Sequence, residues 1–428
     1  MNVASPRIQL LLTGDELMSG DTVDSNSALI ARELSVHGLR PARRVTLGDD
    51  RHALVAELTA LSLDGDALIV NGGLGPTIDD LTAEVLAEVA GVSIEEHAGA
   101  LAHLEAWCER RGLPLNNANR KQALLPRGCE LLPNEVGSAV GFVLEVNSCL
   151  VLCTPGVPGE LRAMLPHLLQ RLRDRFNIRS QREVLRLQTF GLGESTAQQL
   201  VMDNCPDWPD EVNLGFRAGA PQLEIKLSVA DASLIPKRDR CRERLEAMFG
   251  DHIIGEGDQR LAARVIDLAR DAGLALTSAE SCTGGMIAQM ITQIPGSSDV
   301  FPGAFVTYSN ALKSSVLGVA PEILEQHGAV SEETVRAMLA GALREAGADL
   351  GVAVSGVAGP GGGSADKPVG TVWLAWGSVD AVETVRLQWP VERVLFQTMV
   401  AAAALDVLRR RMLGISTQSF YLRQRKVI

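Results

Sequence analysis

Twice along this chain a continuous apolar run stops at small and polar residues and gives way to a helical apolar period. In the first half, Ala67-Leu68-Ile69-Val70-Asn71 opens into Gly72-Gly73-Leu74-Gly75-Pro76-Thr77-Ile78-Asp79-Asp80-Leu81-Thr82. In the second, Leu274-Ala275-Leu276 leads into Thr277-Ser278-Ala279-Glu280-Ser281-Cys282-Thr283-Gly284-Gly285, and Met286, Ile287, Met290, Ile291 and Ile294 then recur at helical spacing. An unbroken apolar strand is buried on both faces, as in a parallel sheet covered by helices on each side. Similar runs at Ile8–Leu12, Arg44–Leu47 and Cys149–Cys153 predict a doubly wound α/β domain at the N-terminus. Further runs at Gly303–Tyr308 and Leu350–Val354 predict a second α/β domain at the C-terminus. Ligands of such folds bind at the carboxyl ends of the strands, where both polar turns fall.

Between these halves, residues 177–255 change character. Arg179, Arg182 and Arg186 are followed by a Gly191-Leu192-Gly193-Glu194 turn, an alternating strand at Leu223–Val229 and an amphipathic helix at Arg238–Phe249. A small α+β connector is expected, and the acid in the glycine turn argues against a clamp for RNA phosphates. The expected domains are therefore 1–176, 177–255 and 256–414, with a solvated basic tail at 415–428. Arg409-Arg410-Arg411 reads likewise as an exposed basic run.

Bulk properties narrow the function. A net charge of −12 and an aromatic content of 4% oppose nucleic-acid binding and base stacking. No apolar run reaches membrane-spanning length, and Met1–Arg7 lacks the form of a secretory leader. The seven scattered cysteines contain no Cys-x-x-Cys pair, so a reducing cytoplasm without disulfide or structural zinc is expected.

The two turns offer different chemistry. Gly72, Gly73 and Gly75 let backbone N–H groups face a phosphate, with Thr77 beside them. Asp79 and Asp80 can hold a hard divalent ion, and Glu16 and Asp24 at the end of the first strand can face the same cleft. A plain glycine turn followed by an Asp cap would explain only part of that set. Lys121, in the polar cluster Asn116–Ala123, is a second cation for a phosphate or simply part of a solvated helix start. In the C-terminal turn Ser281 is a candidate nucleophile, with Gly284 and Gly285 clearing space and the N–H groups of the helix start available to an oxyanion. Alternatively, Ser281 or Thr283 merely caps that helix. A nucleophilic serine needs a base. The domain's single histidine, His327, is off the rim, which leaves Lys313, one turn beyond Tyr308, as the base or else as a solvated helix residue. Cys282 is a rival nucleophile or a small buried side chain.

These phrases resemble the CinA (competence/damage-inducible) family. The carriers are Gly14-x-Glu16-Leu17, Gly72–Asp80, Asn119-Arg120-Lys121-Gln122-Ala123 and Pro155-Gly156-x-Pro158-x-Glu160 in the first domain. In the last they are Ala279–Gly285, Tyr308-Ser309-Asn310-x-x-Lys313 and Ser355-Gly356-x-Ala358-Gly359-Pro360, over about residues 258–412. One departure is Gly137-Ser138-Ala139-Val140-Gly141, where the family usually has Gly-Thr-Ala-Pro-Gly. The resemblance implies a molybdopterin-binding-like first domain with metal-dependent ADP-ribose pyrophosphatase activity through Asp79 and Asp80, a KH-like connector and a homodimer. For the C-terminal domain it implies a nicotinamide mononucleotide deamidase needing no cofactor. There Ser281 would be the nucleophile, Lys313 its base, Tyr308 and Ser355 assistants, and Thr283, Gly284, Gly285, Gly356, Gly359 and Arg393 substrate contacts. A non-catalytic nucleotide-sensing protein linked to DNA uptake is the rival expectation.

Overall fold

The computed structural model describes residues 6–178, 182–416 and 418–427. Arg179 and the first five residues, read above as a cation and as part of a non-leader start, lie outside them. The chain divides into two compact units, Met1–Glu183 with Ala230–Ala232, and Val184–Val229 with Ser233–Ile428. The connector sequence thus packs in one unit with the C-terminal domain.

In the first unit, β1 (Ile8–Thr13), β2 (Pro41–Leu47) and β3 (Ala67–Asn71) precede a two-stranded ribbon of β4 (Ile94–Glu96) and β5 (Leu124–Pro126). Then come β6 (Glu130–Leu132), β7 (Gly141–Val146) and β8 (Cys149–Thr154). The main sheet has the order β2-β1-β3-β8-β7-β6. Its first four strands are parallel and its last two antiparallel. Every residue of β1 and β3 is buried, because helices cover both faces. Asn26–Val36 and Pro158–Phe176 pack Ile30, Leu34, Leu161 and Leu168 on one face. Arg51–Asp64 and Thr82–Ala90 pack Leu54, Leu58, Val85 and Leu86 on the other. The chain leaves β1 toward β2 and returns on the opposite side to β3. That reversal opens a crevice at the strand ends, the expected ligand position.

In the second unit, β9 (Glu183–Thr189), β10 (Asn213–Gly219), β11 (Gln222–Val229) and β12 (Ile253–Glu256) form a sheet of order β10-β11-β9-β12. Helices Glu194–Asn204 and Ile235–Phe249 bury Val201, Cys241 and Leu245 with Leu187 and Ile225 of that sheet. The larger sheet comprises β13 (Leu276–Glu280), β14 (Gly303–Val306), β15 (Leu350–Gly356), β16 (Thr371–Ser378) and β17 (Ala381–Gln388). Its order is β14-β13-β15-β16-β17; β14, β13 and β15 run parallel and the remainder antiparallel. The helix Arg393–Met412 crosses one face with Ala401–Leu405 wholly buried, beside Leu261–Ala272. The helix Glu332–Ala346 covers the other; Ser331 caps it by accepting from Thr334 N at 3.2 Å, and Gly347 ends it in the left-handed region.

Two expectations about the basic residues fail. Arg409 and Arg410 are buried rather than solvated, because Asp406, one helical turn back, receives Arg409 Nε at 2.9 Å and Arg410 Nε at 2.8 Å, and Asp251 pairs with Arg410. A buried cation is tolerated when its charge is matched in this way. The tail is not a free strand either. Phe420–Arg425 is a helix, Leu422 is buried in the core, and Tyr421 Oη donates to Leu192 O at 2.9 Å. Tyr421 and Leu422, just before the tail's cations, anchor it.

Candidate functional site

In the C-terminal domain the last residues of β13 deliver Ser281 to the rim, where its N–H donates to Val354 O of β15 at 3.0 Å. The turn that follows needs glycine, with Gly284 and Gly285 at φ +62° and +101°. Opposite it, β14 ends at Val306 and is followed by Thr307, and Ser309 caps the next helix, Asn310–Leu317, by accepting from Leu312 N at 3.2 Å. That helix aims Lys313 back at the turn. Lys313 Nζ lies 3.1 Å from Ser281 Oγ, 2.9 Å from Thr307 O and 3.4 Å from Tyr308 O. The lysine is only 1% exposed. Among the described residues no carboxylate lies within ion-pairing distance of it. Burial lowers its pKa below the ordinary 10.5, desolvation outweighing the opposing charge of a Cys282 thiolate. It is therefore not the solvated surface lysine of the simpler reading. Cys282 is 4% exposed and burial pushes its thiol up to about 12, so it is the small buried residue and not a thiolate at neutral pH.

The remaining rim residues sort into groups. Tyr308 and Arg393 meet: Arg393 donates to Tyr308 Oη at 3.0 Å and to Gly359 O at 2.7 Å. Ser355 is buried and turned to Ala329 O at 2.6 Å, so its hydroxyl is engaged away from Ser281. A side chain at Gly356 would collide with Thr371 O, and one at Gly359 with Val369; packing alone therefore calls for glycine at both. Thr283 was expected to touch substrate, yet its hydroxyl donates to Glu280 Oε2 at 2.7 Å. Neither Ser281 nor Thr283 caps the helix Met286–Thr292. Glu280, 0% exposed, does so by receiving the N–H groups of Gly285 and Ile287 at 3.0 Å and Ala288 at 2.9 Å. Those N–H groups are consequently not free for an oxyanion, contrary to expectation. Sequence reasoning missed the role of Glu280, because it is the last residue of β13 and the helix starts only at Met286, beyond the reach of an ordinary capping signal. It also missed Gln397, whose amide donates to Cys282 O at 3.0 Å.

In the N-terminal unit a cavity of about 520 Å³ opens at the β1–β3 crevice. Glu16, Asp79, Asp80, Gly72, Gly73, Gly75 and Thr77 all line it, so the first-strand and glycine-loop acids do share one cleft. Part of the set serves the loop itself. Asp80 Oδ2 accepts from Thr77 N at 2.8 Å and from Thr77 Oγ1 at 2.5 Å. Lys121 Nζ braces the same loop through Thr77 O and Asp80 O at 2.5 and 2.9 Å. Asp79 stays exposed, and the Thr77 hydroxyl, which it shares with Asp80, together with its own N–H holds its carboxyl below the usual range. Asp24 is not in the cleft; it receives Ser27 N at 2.9 Å and the Ser27 hydroxyl, capping the helix Asn26–Val36. Asp49 takes its place, accepting from Thr13 Oγ1 at 2.5 Å while lining the cavity. No three His, Cys, Asp or Glu side chains converge as a metal cage among the described residues. Two neighbouring acids beside a phosphate-sized glycine loop fit a Mg²⁺-type ion that shares its ligands with substrate phosphates and water.

Comparison with known proteins bears on both sites. Residues 258–412 match the family described as CinA C-terminal domain, and residues 9–174 match the probable molybdopterin binding domain. A CinA-like protein of Colwellia psychrerythraea is 47% identical over 427 residues, 99% of each chain. One from Citrifermentans bemidjiense is 41% identical over 412 residues, 96% of this chain and 99% of that one. The nicotinamide-nucleotide amidohydrolase PncC of Shewanella oneidensis is 38% identical over 410 residues, 95% of this chain and 96% of that protein. Among the described residues no helix is long and apolar enough to cross a membrane.

Proposed function

Because this chain belongs to the CinA family, as its full-length relatives show, we propose that its C-terminal domain is an amidohydrolase that converts nicotinamide mononucleotide to nicotinate mononucleotide and ammonia. The relative named for that activity supports the substrate. The observation that carries the mechanism is the buried Lys313 amine 3.1 Å from the Ser281 hydroxyl. A neutral amine has two N–H donors and one lone pair. The carbonyls of Thr307 and Tyr308 accept the donors, and the lone pair faces the serine proton. Ser281 Oγ attacks the carboxamide carbon as its proton passes to Lys313 Nζ. The tetrahedral intermediate collapses as Nζ returns a proton to the departing nitrogen, and ammonia leaves. Water, deprotonated by the same amine, then opens the acyl-enzyme. The direct test is ammonia release from nicotinamide mononucleotide by the intact protein with chelator present. Steady release is expected; its absence would favour the non-catalytic sensing reading.

Arg393 supplies a cation on the rim, joined to Tyr308. It suits the 5′-phosphate of the mononucleotide. Arg393→Ala is expected to raise KM for nicotinamide mononucleotide about tenfold with little change in kcat, the signature of lost uniform binding. Nicotinamide riboside, which lacks the phosphate, should show no such change. Equal effects on both compounds would place Arg393 elsewhere in the chemistry.

For the N-terminal cleft we infer a metal-dependent pyrophosphatase acting on ADP-ribose. The carrying observation is the convergence of the glycine loop with Asp79, Asp80 and Glu16 on one cavity. Asp79, which the loop leaves exposed, and Asp80 would hold the ion, which supplies charge neutralisation at the pyrophosphate. Glycine-loop N–H groups orient the phosphates. Asp79→Asn should lower Mg²⁺-dependent AMP release from ADP-ribose by about 10²-fold and leave ammonia release untouched. Full retention would make the cleft a binding module.

A further inference from the structure

We infer that Glu280 is the positioning residue of the amidase site: its carboxylate takes up the helix-start N–H groups and so reserves those of Cys282 and Thr283 for the oxyanion. The inference rests on the amidase reading given above.

Glu280 is wholly buried, yet its hydrogen-bond partners are all neutral. Oε2 accepts from Thr283 Oγ1 at 2.7 Å, Gly285 N at 3.0 Å and Ile287 N at 3.0 Å. Oε1 accepts from Ala288 N at 2.9 Å and from Ser278 Oγ at 3.4 Å. A buried carboxylate is costly unless its lone pairs are filled, and here they are filled by the turn that carries the nucleophile. The acid therefore clamps residues 283, 285, 287 and 288 to the end of β13. Its backbone reaches the base as well. Glu280 O accepts from Thr307 N at 2.9 Å, and Thr307 O is the carbonyl that receives Lys313 Nζ. One residue thus ties the nucleophile's turn to the strand end that holds the base.

The donors left over are specific. Ser281 N is used by Val354 O, Gly284 N by Ser281 O and Met286 N by Thr283 O. Gly285, Ile287 and Ala288 are used by Glu280. The N–H groups of Cys282 and Thr283 donate to no backbone or side-chain oxygen among the described residues, that of Cys282 having only its own thiol beside it, and they stand one and two residues beyond the nucleophile. In serine acyl transfer the N–H after the nucleophile is a favoured oxyanion donor, since the same turn sets both. Gln397, by holding Cys282 O at 3.0 Å, fixes the Cys282–Thr283 peptide from its other end.

The test is Glu280→Gln, with Thr283→Val as the milder change. An amide keeps one acceptor oxygen but turns an NH2 toward an N–H donor. Expected for Glu280→Gln is a fall in kcat of about 10²-fold, as when an oxyanion donor is lost, with KM held. Thr283→Val, which keeps every backbone group, should lose about tenfold in kcat. The discriminating readout is binding of two ligands. Affinity for 3-pyridylboronic acid, which forms a tetrahedral adduct on a serine, should fall in parallel with kcat. Affinity for nicotinate mononucleotide, whose carboxylate carbon is planar, should not. If both affinities fall together, or kcat is retained in both variants, the inference is wrong while the amidase reading survives. If Glu280→Gln does not fold, Thr283→Val alone decides by the same pair of ligands. A wild-type protein that releases no ammonia overturns both readings.

Discussion

Ser281→Ala is expected to abolish ammonia release from nicotinamide mononucleotide, with a loss of at least ~10³-fold in kcat. The reason is local. Ser281 Oγ is the hydroxyl that the structure places beside Lys313 Nζ, whereas the other rim serine, Ser355, has its hydroxyl committed to Ala329 O. The neighbouring thiol cannot take over. Cys282 is buried, and its pKa of about 12 leaves almost no thiolate at neutral pH. Product binding should persist in the alanine variant, because only one buried oxygen is removed. Mass spectrometry of the wild type quenched during turnover should find the acyl group of nicotinate mononucleotide, ribose phosphate included, on the peptide containing Ser281. Residual activity within tenfold of wild type, or an acyl group elsewhere, would refute the assignment.

Lys313→Met should be equally damaging, at least ~10³-fold in kcat/KM, because it keeps the length and burial of the side chain and removes the base. The pH dependence follows from the direction of the shift. Desolvation lowers the lysine pKa below 10.5. Protons bind the amine below that pKa and disable it; above it the amine is neutral and active. The wild-type kcat/KM should therefore rise with pH through an acid limb lying below 10.5 and then level off. Lys313→Arg should be inactive at every pH, since a guanidinium stays charged throughout. An unchanged pH profile in either variant would remove Lys313 from the base role.

Much of this was legible in the chain. The strand runs, the glycine loop, the Ser281 turn and the end-capped helices follow from local rules of periodicity, capping and positive φ, and the structure has them. The neighbours that convert those elements into a site were less so. Asp24 and Glu16 look alike in sequence as acids beyond β1, yet Asp24 caps a helix and Glu16 reaches the cleft. Asp49, after β2, enters the same cleft because β2 pairs with β1 in parallel, bringing Leu47 beside Thr13. The basic run gave the wrong expectation for Arg409 and Arg410 because, besides Asp406, their pairing draws on Asp251, whose carboxylate reaches Arg410 from 159 residues away.

By itself, then, the sequence determined which stretches are buried strands, where each one ends, and which hydroxyls, acids and lysines stand at those ends, because side-chain periodicity and turn chemistry act over a few residues. Only the tertiary structure decided which of them meet. Burial set Lys313 beside Ser281 and lowered its pKa instead of leaving it a solvated surface lysine, and the fully buried Glu280 carboxylate took the helix-start donors that the sequence had offered to substrate. Desolvation and hydrogen-bond competition depend on every group packed nearby, and such groups are set by strand order and not by position along the chain.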